Sequence, residues 1–216
     1  YTEIYLIMTP INFPEKPFVL FIDVGLSWNA PTTVEFLNQV SNGFAIGVEP
    51  NPNACKRVRN LNLGDRFHLI EAGVANSKES TMPFNIIAET GPQGDITDQG
   101  TSSFLNPTQH FREQGYSVLE TVEVPVITLK TILDEVPWDR VIEGCFRLKS
   151  DTQGFEDEVI ASLGNYTERL VQLQIESFTA NQYEDSSQHD KVISLLEPYM
   201  EQTHNDGWNA WFSKKK

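Results

Sequence analysis

The sequence predicts an α/β domain whose mostly parallel sheet carries helices on both faces. Short apolar, β-branched runs alternate with amphipathic segments, which is typical of βαβ units. The run FVLFIDV at residues 18–24 has the composition of a central strand buried on both faces. A chain of 216 residues with a hydrophobic share of 39% can bury one sizeable core. We therefore expect one domain over residues 1–216.

The first half of the chain is predicted to form a βαβαβ unit. Short apolar runs predict strands at residues 18–24, 44–48 and 67–72. Amphipathic segments predict helices at residues 32–40 and 52–61. In open sheets of this kind, ligands bind beyond the carboxyl ends of the strands, so that edge is where functional residues are expected.

The second half is less regular. Residues 89–108 are rich in Gly, Thr, Ser, Asp and Gln, which predicts a long loop. Because Pro cannot donate a ladder hydrogen bond, Pro125 predicts that the strand containing it lies at a sheet edge. The remaining predicted strands are 121–127, 145–148, 170–175 and 207–213. The remaining predicted helices are 129–133, 155–163 and 189–200.

Composition excludes several classes of protein. A net charge of −14 would repel phosphate backbones, so nucleic-acid binding is not expected. No apolar run approaches the ~20 residues of a membrane span. Two cysteines make neither a disulfide framework nor a clustered metal site, which favours a cytoplasmic location. Since the chain begins with Tyr1 and ends in three lysines, we expect it to be a domain of a longer protein.

Acidic residues stand at or just past the ends of four predicted strands, namely Asp23, Glu49, Asp151 and Glu176. Glu49 follows Gly25 by 24 residues, near the offset of about 20 at which an acid reaches the ribose of a bound nucleotide. The turn after Gly25 lacks the other two glycines of the dinucleotide fingerprint. This pattern favours a nucleoside ligand without a pyrophosphate, of which S-adenosylmethionine is the common example.

Six segments then resemble, in order and spacing, the motifs of the FkbM-type S-adenosylmethionine-dependent O-methyltransferases. They are FIDVG (21–25), GVEPNP (47–52), EAGVA (71–75), GTSS (100–103), VPVITL (124–129) and KSDTQGFE (149–156). The match extends from about residue 18 to residue 176. It implies a Rossmann-like class I methyltransferase sandwich with a seven-stranded sheet, whose antiparallel last strand residues 207–213 would supply.

The resemblance also implies a cofactor site. Asp23 and Gly25 would lie along the methionine part, Glu49 would bind the ribose, and residues 72–74 would border the adenine. The loop serines would close over the ligand. The implied cofactor-binding residues are Asp23, Gly25, Asn29, Glu49, Pro50, Asn51, Ala72, Gly73, Val74, Ser102 and Ser103.

The first motif departs from the family pattern D-V-G-A-N-x-G-x-x-T. Leu26 and Ser27 replace Ala and Asn, and Asn29 replaces the second glycine. Asn tolerates positive φ better than other non-glycine residues, so we expect Asn29 to preserve the backbone turn.

The resemblance places Lys149 and Asp151 near the sulfonium and the acceptor hydroxyl, with Glu176 beside them as a third catalytic residue. An alcohol is a weak nucleophile at neutral pH, so a base is expected, and Asp151 is the first candidate. Lys149 would orient the substrate, or act as the base if burial lowers its pKa. In another alternative, Asp151 and Glu176 bind a divalent cation. We expect a metal-independent enzyme.

The leading hypothesis is methyl transfer from S-adenosylmethionine to a hydroxyl of a sugar, with S-adenosylhomocysteine as the product. The resemblance implies a glycan or deoxysugar acceptor, such as rhamnose or fucose, and fusion to other glycan-synthesis domains. One alternative is a non-catalytic interaction module that has lost the cofactor through its altered first turn. A second, an NAD-dependent oxidoreductase, is disfavoured by the missing glycines.

Overall fold

The computed structural model describes residues 9–90, 96–98, 100–176, 182–187 and 189–216, with backbone alone at 90 and 96–98. Its strands are β1 (Phe18–Val24), β2 (Gly43–Val48), β3 (Phe67–Ile70), β4 (Gly73–Val74), β5 (Thr81–Thr90), β6 (Ile96–Asp98), β7 (Tyr116–Ile127), β8 (Val141–Ser150), β9 (Gln172–Glu176), β10 (Met200–Asn205) and β11 (Asn209–Lys214). Its helices are α1 (Pro31–Gln39), α2 (Pro52–Asn60), α3 (Gln109–Glu113), α4 (Leu129–Asp134), α5 (Glu156–Ala161) and α6 (His189–Leu196).

The main sheet has seven strands in the order β10-β11-β9-β8-β1-β2-β3. The pairs β9–β8, β8–β1, β1–β2 and β2–β3 are parallel. Strand β11 runs antiparallel to both of its neighbours, β9 and β10. The predicted mostly parallel seven-stranded sheet with an antiparallel last strand is therefore confirmed.

Alternation along β1 divides the core between the two faces of the sheet. Leu20 and Ile22 point into the larger cluster, which contains apolar side chains of α4, α5 and α6. Phe21 belongs to a smaller cluster on the other face with Phe36 and Leu37 of α1. Helices on both faces are therefore confirmed. Within the described ranges, no helix combines the length and the apolar character that crossing a membrane requires.

A second sheet, of four strands in the order β4-β7-β5-β6, accounts for two wrong predictions. Residues 89 and 90 complete β5 and residues 96–98 form β6, so segment 89–108 is only partly a loop. Strand β7 pairs on both sides, which contradicts its predicted edge position. The backbone N–H of Val126 donates to Ser80 O, on the β5 side of the strand. The nitrogen of the preceding residue, Pro125, therefore faces β4. Pro125 is tolerated because the pairing of β7 with β4 begins only at Val126, so no ladder hydrogen bond is lost.

The C-terminal part also differs from the prediction. The helix predicted over residues 189–200 ends at Leu196, and β10 begins at Met200. Strand β10 is polar and lies at the sheet edge, with all its residues after Met200 exposed, so it carries no apolar alternation. The final strand occupies residues 209–214 and not 207–213.

Candidate active site

A cleft opens beyond the carboxyl ends of β1, β2 and β8. The turn after β1, the segment after β2 and the start of the segment after β8 form its walls, together with β4 and residues of the second sheet. Predicted residues that line it are Gly25, Glu49, Pro50, Asn51, Gly73, Val74, Ser102 and Asp151.

The turn after β1 is packed directly against the segment after β8. Gly25 has φ +79°, and a Cβ added there would lie 1.8 Å from Asp151 O. Its N–H donates to Val48 O (2.9 Å), and its carbonyl accepts from Lys149 Nζ (2.9 Å). Only glycine fits this position, because the backbone is left-handed and has no room for a side chain.

Two further residues of this turn have a left-handed backbone, but neither of them is Asn29, the residue expected to have one. Ser27 has φ 56° and Ala30 has φ 43°, whereas Asn29 does not have positive φ. The expectation that Asn29 replaces a left-handed glycine is therefore wrong. The turn closes through Ser27 and Ala30, and Asn29 is exposed outside the cleft.

The Glu49 carboxylate is buried at the base of the cleft and held by main-chain donors. Its Oε2 accepts from Leu26 N (2.9 Å), and its Oε1 accepts from Asn51 N (2.8 Å). Burial raises the pKa of Glu49 to about 7, against the opposing effect of these backbone hydrogen bonds. A carboxylate has about four acceptor directions, so Glu49 retains capacity for a ligand hydroxyl. A carboxylate with free acceptor positions at the base of the cleft fits the hydroxyl groups of a ribose.

The second sheet closes one side of the cleft. Ser102 Oγ accepts from Ile87 N (3.1 Å) and from Asn51 Nδ2 (3.4 Å). A Cβ on Gly73 would lie 2.1 Å from Phe104 Cζ, so a glycine allows this aromatic ring to cover β4. Ser103 is fully buried and its hydroxyl donates to Gln153 O (2.9 Å), which ties the loop to the segment after β8.

Two other predicted cofactor residues lie away from the cleft surface. Asp23 is buried below it, where Oδ2 accepts from Thr33 Oγ1 (2.7 Å) and Oδ1 lies 3.3 Å from Lys149 Nζ. Burial raises the pKa of Asp23, although Lys149 and Thr33 oppose this. Ala72 is part of the main core. Any contribution of Asp23 to the site passes through Lys149 and the Gly25 carbonyl.

Lys149 lies beneath the cleft, where its ammonium group is placed between two carboxyl groups. Its Nζ lies 3.3 Å from Asp23 Oδ1 and 3.3 Å from Asp151 Oδ2. Burial alone would lower the pKa of Lys149, but the two carboxylates raise it above its ordinary value. Lys149 is therefore protonated at neutral pH. The alternative in which it acts as the base does not fit this site, because an ammonium has no lone pair.

Asp151 and Glu176 form a carboxyl pair at the ends of β8 and β9. Their side chains hydrogen-bond to each other. Gln153 Nε2 donates to both, at 3.0 Å from Asp151 Oδ1 and 2.6 Å from Glu176 Oε2. The Asp151 side chain is 32% exposed and reaches the cleft.

The pair shares one proton. Burial, and then the hydrogen bond and charge of Asp151, raise the pKa of Glu176 to about 11. Burial would also raise the pKa of Asp151, but Lys149, Glu176 and Gln153 hold it below its ordinary value. At neutral pH Glu176 is therefore the protonated member and Asp151 the ionised one. Within the part of the chain that the structure describes, no group of three or more His, Cys, Asp or Glu residues is arranged to hold a metal.

Sequence reasoning missed three residues in or next to the segment that holds this pair, of which Gln153 bonds to both carboxyls directly. Glu156 is buried and accepts from Thr152 N (2.9 Å) and Thr152 Oγ1 (3.0 Å), and burial raises its pKa to about 7. Tyr183 OH lies 2.9 Å from Gln153 Oε1. Glu156 and Gln153 belong to segment 149–156, so the motif itself could have indicated them. Tyr183 lies outside every motif.

Comparisons with known proteins identify the family. The model of the methyltransferase FkbM domain matches residues 23–204. No curated protein matches the chain. Similar solved structures include precorrin-6y C5,15-methyltransferase from Geobacter metallireducens GS-15, with 15% identity, a TM-score of 0.45, and coverage of 93% of this chain and 81% of that one. Another is the S-adenosylmethionine-dependent methyltransferase SibL, with 10% identity, a TM-score of 0.42, and coverage of 92% and 51%. Because the family match spans most of the chain, this protein belongs to the FkbM methyltransferase family and uses S-adenosylmethionine as its cofactor.

Proposed function

We propose that this methyltransferase methylates a hydroxyl group of a sugar, on a glycan or a deoxysugar such as rhamnose or fucose. The observation that carries the proposal is the carboxyl pair of Asp151 and Glu176, which are both hydrogen-bonded by Gln153 and of which the Asp151 side chain is 32% exposed and reaches the cleft. A hydroxyl acceptor must lose a proton when it is methylated, and Asp151 is a carboxylate available to take it. The choice of a sugar rests on the resemblance to FkbM-type O-methyltransferases.

The donor side of the cleft would be formed by the ends of β1 and β2. Glu49 would accept hydrogen bonds from the ribose hydroxyls, and Gly25 would lie along the methionine part. Asn51, Gly73 and Val74 would border the adenine. When bound, S-adenosylmethionine supplies a methyl group already activated by its sulfonium. The protein then has to align the acceptor, exclude water and remove one proton.

The acceptor side would be formed by the ends of β8 and β9. Asp151, whose side chain reaches the cleft, would accept the hydroxyl proton. Glu176 keeps its own proton and donates it to Asp151 in a hydrogen bond, so Glu176 acts as a positioning residue. Gln153 fixes both carboxyls by donating to each.

Aromatic side chains form an apolar wall beside this site. Phe104 lies between Phe84 and Phe155, with ring centroids 5.1 Å and 5.2 Å away. Phe84 and Phe104 line the cleft. Such a wall excludes water from the reacting groups, which strengthens the interaction of Asp151 with a donor hydroxyl.

We also propose in which compartment, on what kind of acceptor and in what kind of protein the domain acts. Cys55 and Cys145 are both free thiols, which supports a reducing compartment such as the cytoplasm. The net charge of −14 supports a neutral or cationic acceptor over a nucleic acid. Residues 1–216 would be one methyltransferase domain, fused to other glycan-synthesis domains in a longer protein.

The proposal is tested by methyl transfer from labelled S-adenosylmethionine to methyl α-L-rhamnopyranoside and methyl α-L-fucopyranoside, with amine and thiol acceptors in parallel. We expect a methyl ether on a sugar hydroxyl, identified by mass spectrometry and NMR. Exclusive methylation of amines or thiols would contradict the O-methyltransferase assignment. Absence of S-adenosylhomocysteine binding in calorimetry would instead favour the non-catalytic module.

A further inference from the structure

The residues of the candidate site follow one another along the carboxyl edge of the main sheet. The adjacent strands β2, β1, β8, β9 and β11 lie about 4.8 Å apart. Their ends on this edge carry, in that order, Glu49, Gly25, Asp151, Glu176 and Asn209. The cofactor cleft occupies the β2–β1 end, and the carboxyl pair follows. Among the residues that the structure describes, the part of this edge beyond the carboxyl pair is formed by the ends of β9 and β11, and we place the acceptor there.

An exposed tryptophan stands on that side. Trp208 lies in the turn between β10 and β11, directly before Asn209, and is 61% exposed. Asn209 is the Cα partner of Glu176. The spacing of paired strands and of consecutive Cα atoms puts the Trp208 and Glu176 Cα atoms within roughly 10 Å of each other.

The turn holds the Trp208 backbone in a fixed position. Asp206 Oδ1 accepts from Trp208 N (2.8 Å) and Asn209 N (2.7 Å). Asn205 Oδ1 accepts from Gly207 N (2.7 Å), and Gly207 takes φ +91°. The two backbone hydrogen bonds from Asn209 and Trp208 hold the pKa of Asp206 below its ordinary value. A backbone fixed before binding loses less entropy when a ligand docks.

We propose that Trp208 is an acceptor-binding residue whose indole face receives the C–H face of a pyranose ring. This inference rests on the proposed function, because it states how the sugar would be held. A pyranose combines an apolar face with hydroxyls at its rim, and indole offers a large, rigid apolar surface. As partners for those hydroxyls we propose the amides of Gln174 on β9 and Asn209 on β11, which are joined by a hydrogen bond of 3.2 Å.

The test compares Trp208→Ala and Trp208→Tyr with Leu119→Ala, a control at an exposed apolar residue of β7 in the second sheet. We expect Trp208→Ala to raise the KM for methyl α-L-rhamnopyranoside or methyl α-L-fucopyranoside at least tenfold, with a smaller change in kcat. Trp208→Tyr should recover most of this loss. The Kd of S-adenosylhomocysteine should stay the same in all three variants. An unchanged glycoside KM in Trp208→Ala would overturn the inference while leaving the proposed function intact.

A binding measurement separates this inference from failure of the enzyme assay. Both glycosides are titrated into the protein, with and without S-adenosylhomocysteine, while tryptophan emission is recorded. We expect a saturable change in the unmodified chain that Trp208→Phe removes. No change with either glycoside, or the same change in Trp208→Phe, would overturn the inference whether or not S-adenosylhomocysteine binds. A Trp208→Ala variant that alters only the sedimentation mass would assign Trp208 to a subunit contact and overturn it too.

Discussion

The two halves of the cleft are built by different kinds of contact. On the donor side, Glu49 is held by the backbone N–H groups of Leu26 and Asn51. On the acceptor side, Asp151 and Glu176 are held by side chains, including that of Gln153. The donor half therefore depends on main-chain conformation and tolerates the altered residues of the first turn. The acceptor half depends on protonation states, so a substitution that preserves shape but changes a charge should affect it most.

The largest expected effect is on the acceptor half. Asp151→Asn keeps the shape of the side chain but removes the negative charge that we propose takes up the acceptor proton. We expect the rate of methyl transfer to fall by about 10²- to 10⁴-fold. Calorimetry should show S-adenosylhomocysteine binding within about threefold of the unmodified chain. A large loss of binding would mean that the two halves are not separable.

On the donor side, the largest loss of cofactor affinity is expected from the single methyl group that Gly25→Ala adds. In Gly25→Ala the added Cβ meets Asp151 O, so the turn must move, and we expect at least a hundredfold loss of S-adenosylhomocysteine affinity. Gly64→Ala is the matched control, since Gly64 has φ +75° with nothing within 4 Å of an added Cβ. It should cost about 1–2 kcal/mol of stability without altering binding. Equal loss of affinity in both variants would show that backbone strain, and not the clash, is responsible.

The pH dependence of cofactor binding should report on Glu49. Its pKa of about 7 means that the carboxylate, which we propose as the acceptor for the ribose hydroxyls, becomes protonated as the pH falls below 7. We expect the Kd of S-adenosylhomocysteine to rise by up to about tenfold per pH unit below 7. In Glu49→Gln this dependence should disappear. If it persists, Glu156, whose pKa is also about 7, is the responsible group.

The raised pKa of Glu49 weakens cofactor binding at low pH, but it stabilises the folded chain there. The folded chain binds the Glu49 proton more tightly than the unfolded chain, whose pKa is near 4.5. The contribution of Glu49 to the free energy of unfolding is therefore greatest below about 4.5 and is lost as the pH rises through 7.

The smallest effect is expected from the neutral member of the carboxyl pair. Glu176→Gln retains a donor for Asp151 and an acceptor for Gln153, so the rate should fall less than in Glu176→Ala. The alkaline limb of the rate profile, which reports loss of the Glu176 proton at a pKa raised far above its ordinary value, should be lost in both variants. A Gln variant as slow as the Ala variant would indicate that the Glu176 proton itself moves during the reaction.

Much of the fold could be predicted from the sequence, because the central strands are continuous apolar runs. Strands β1 and β2 were predicted to within one residue of their bounds. Strand β10 could not be predicted, since its residues after Met200 are exposed and it is fixed by pairing with β11. The interior position of β7 depends on its pairing with β4, a contact between residues more than 50 positions apart.

The site was predictable to the extent that it is local in sequence. Gly25, Glu49 and Asn51 belong to short motifs whose backbone carries the contacts, and the structure brings them to one cleft. Tyr183 reaches Gln153 from 30 positions away and has no motif of its own. The protonation of Glu176 also follows from burial beside Asp151, which only the packed structure reveals.

We propose that β1 and β2 carry the donor site, while β8 and β9 carry the groups that take up the acceptor proton. Calorimetric titration with S-adenosylhomocysteine of the unmodified chain, Glu49→Ala and Asp151→Asn tests it most directly. We expect micromolar binding that Glu49→Ala loses and Asp151→Asn keeps. Equal loss in both variants, or binding that survives Glu49→Ala, would contradict it.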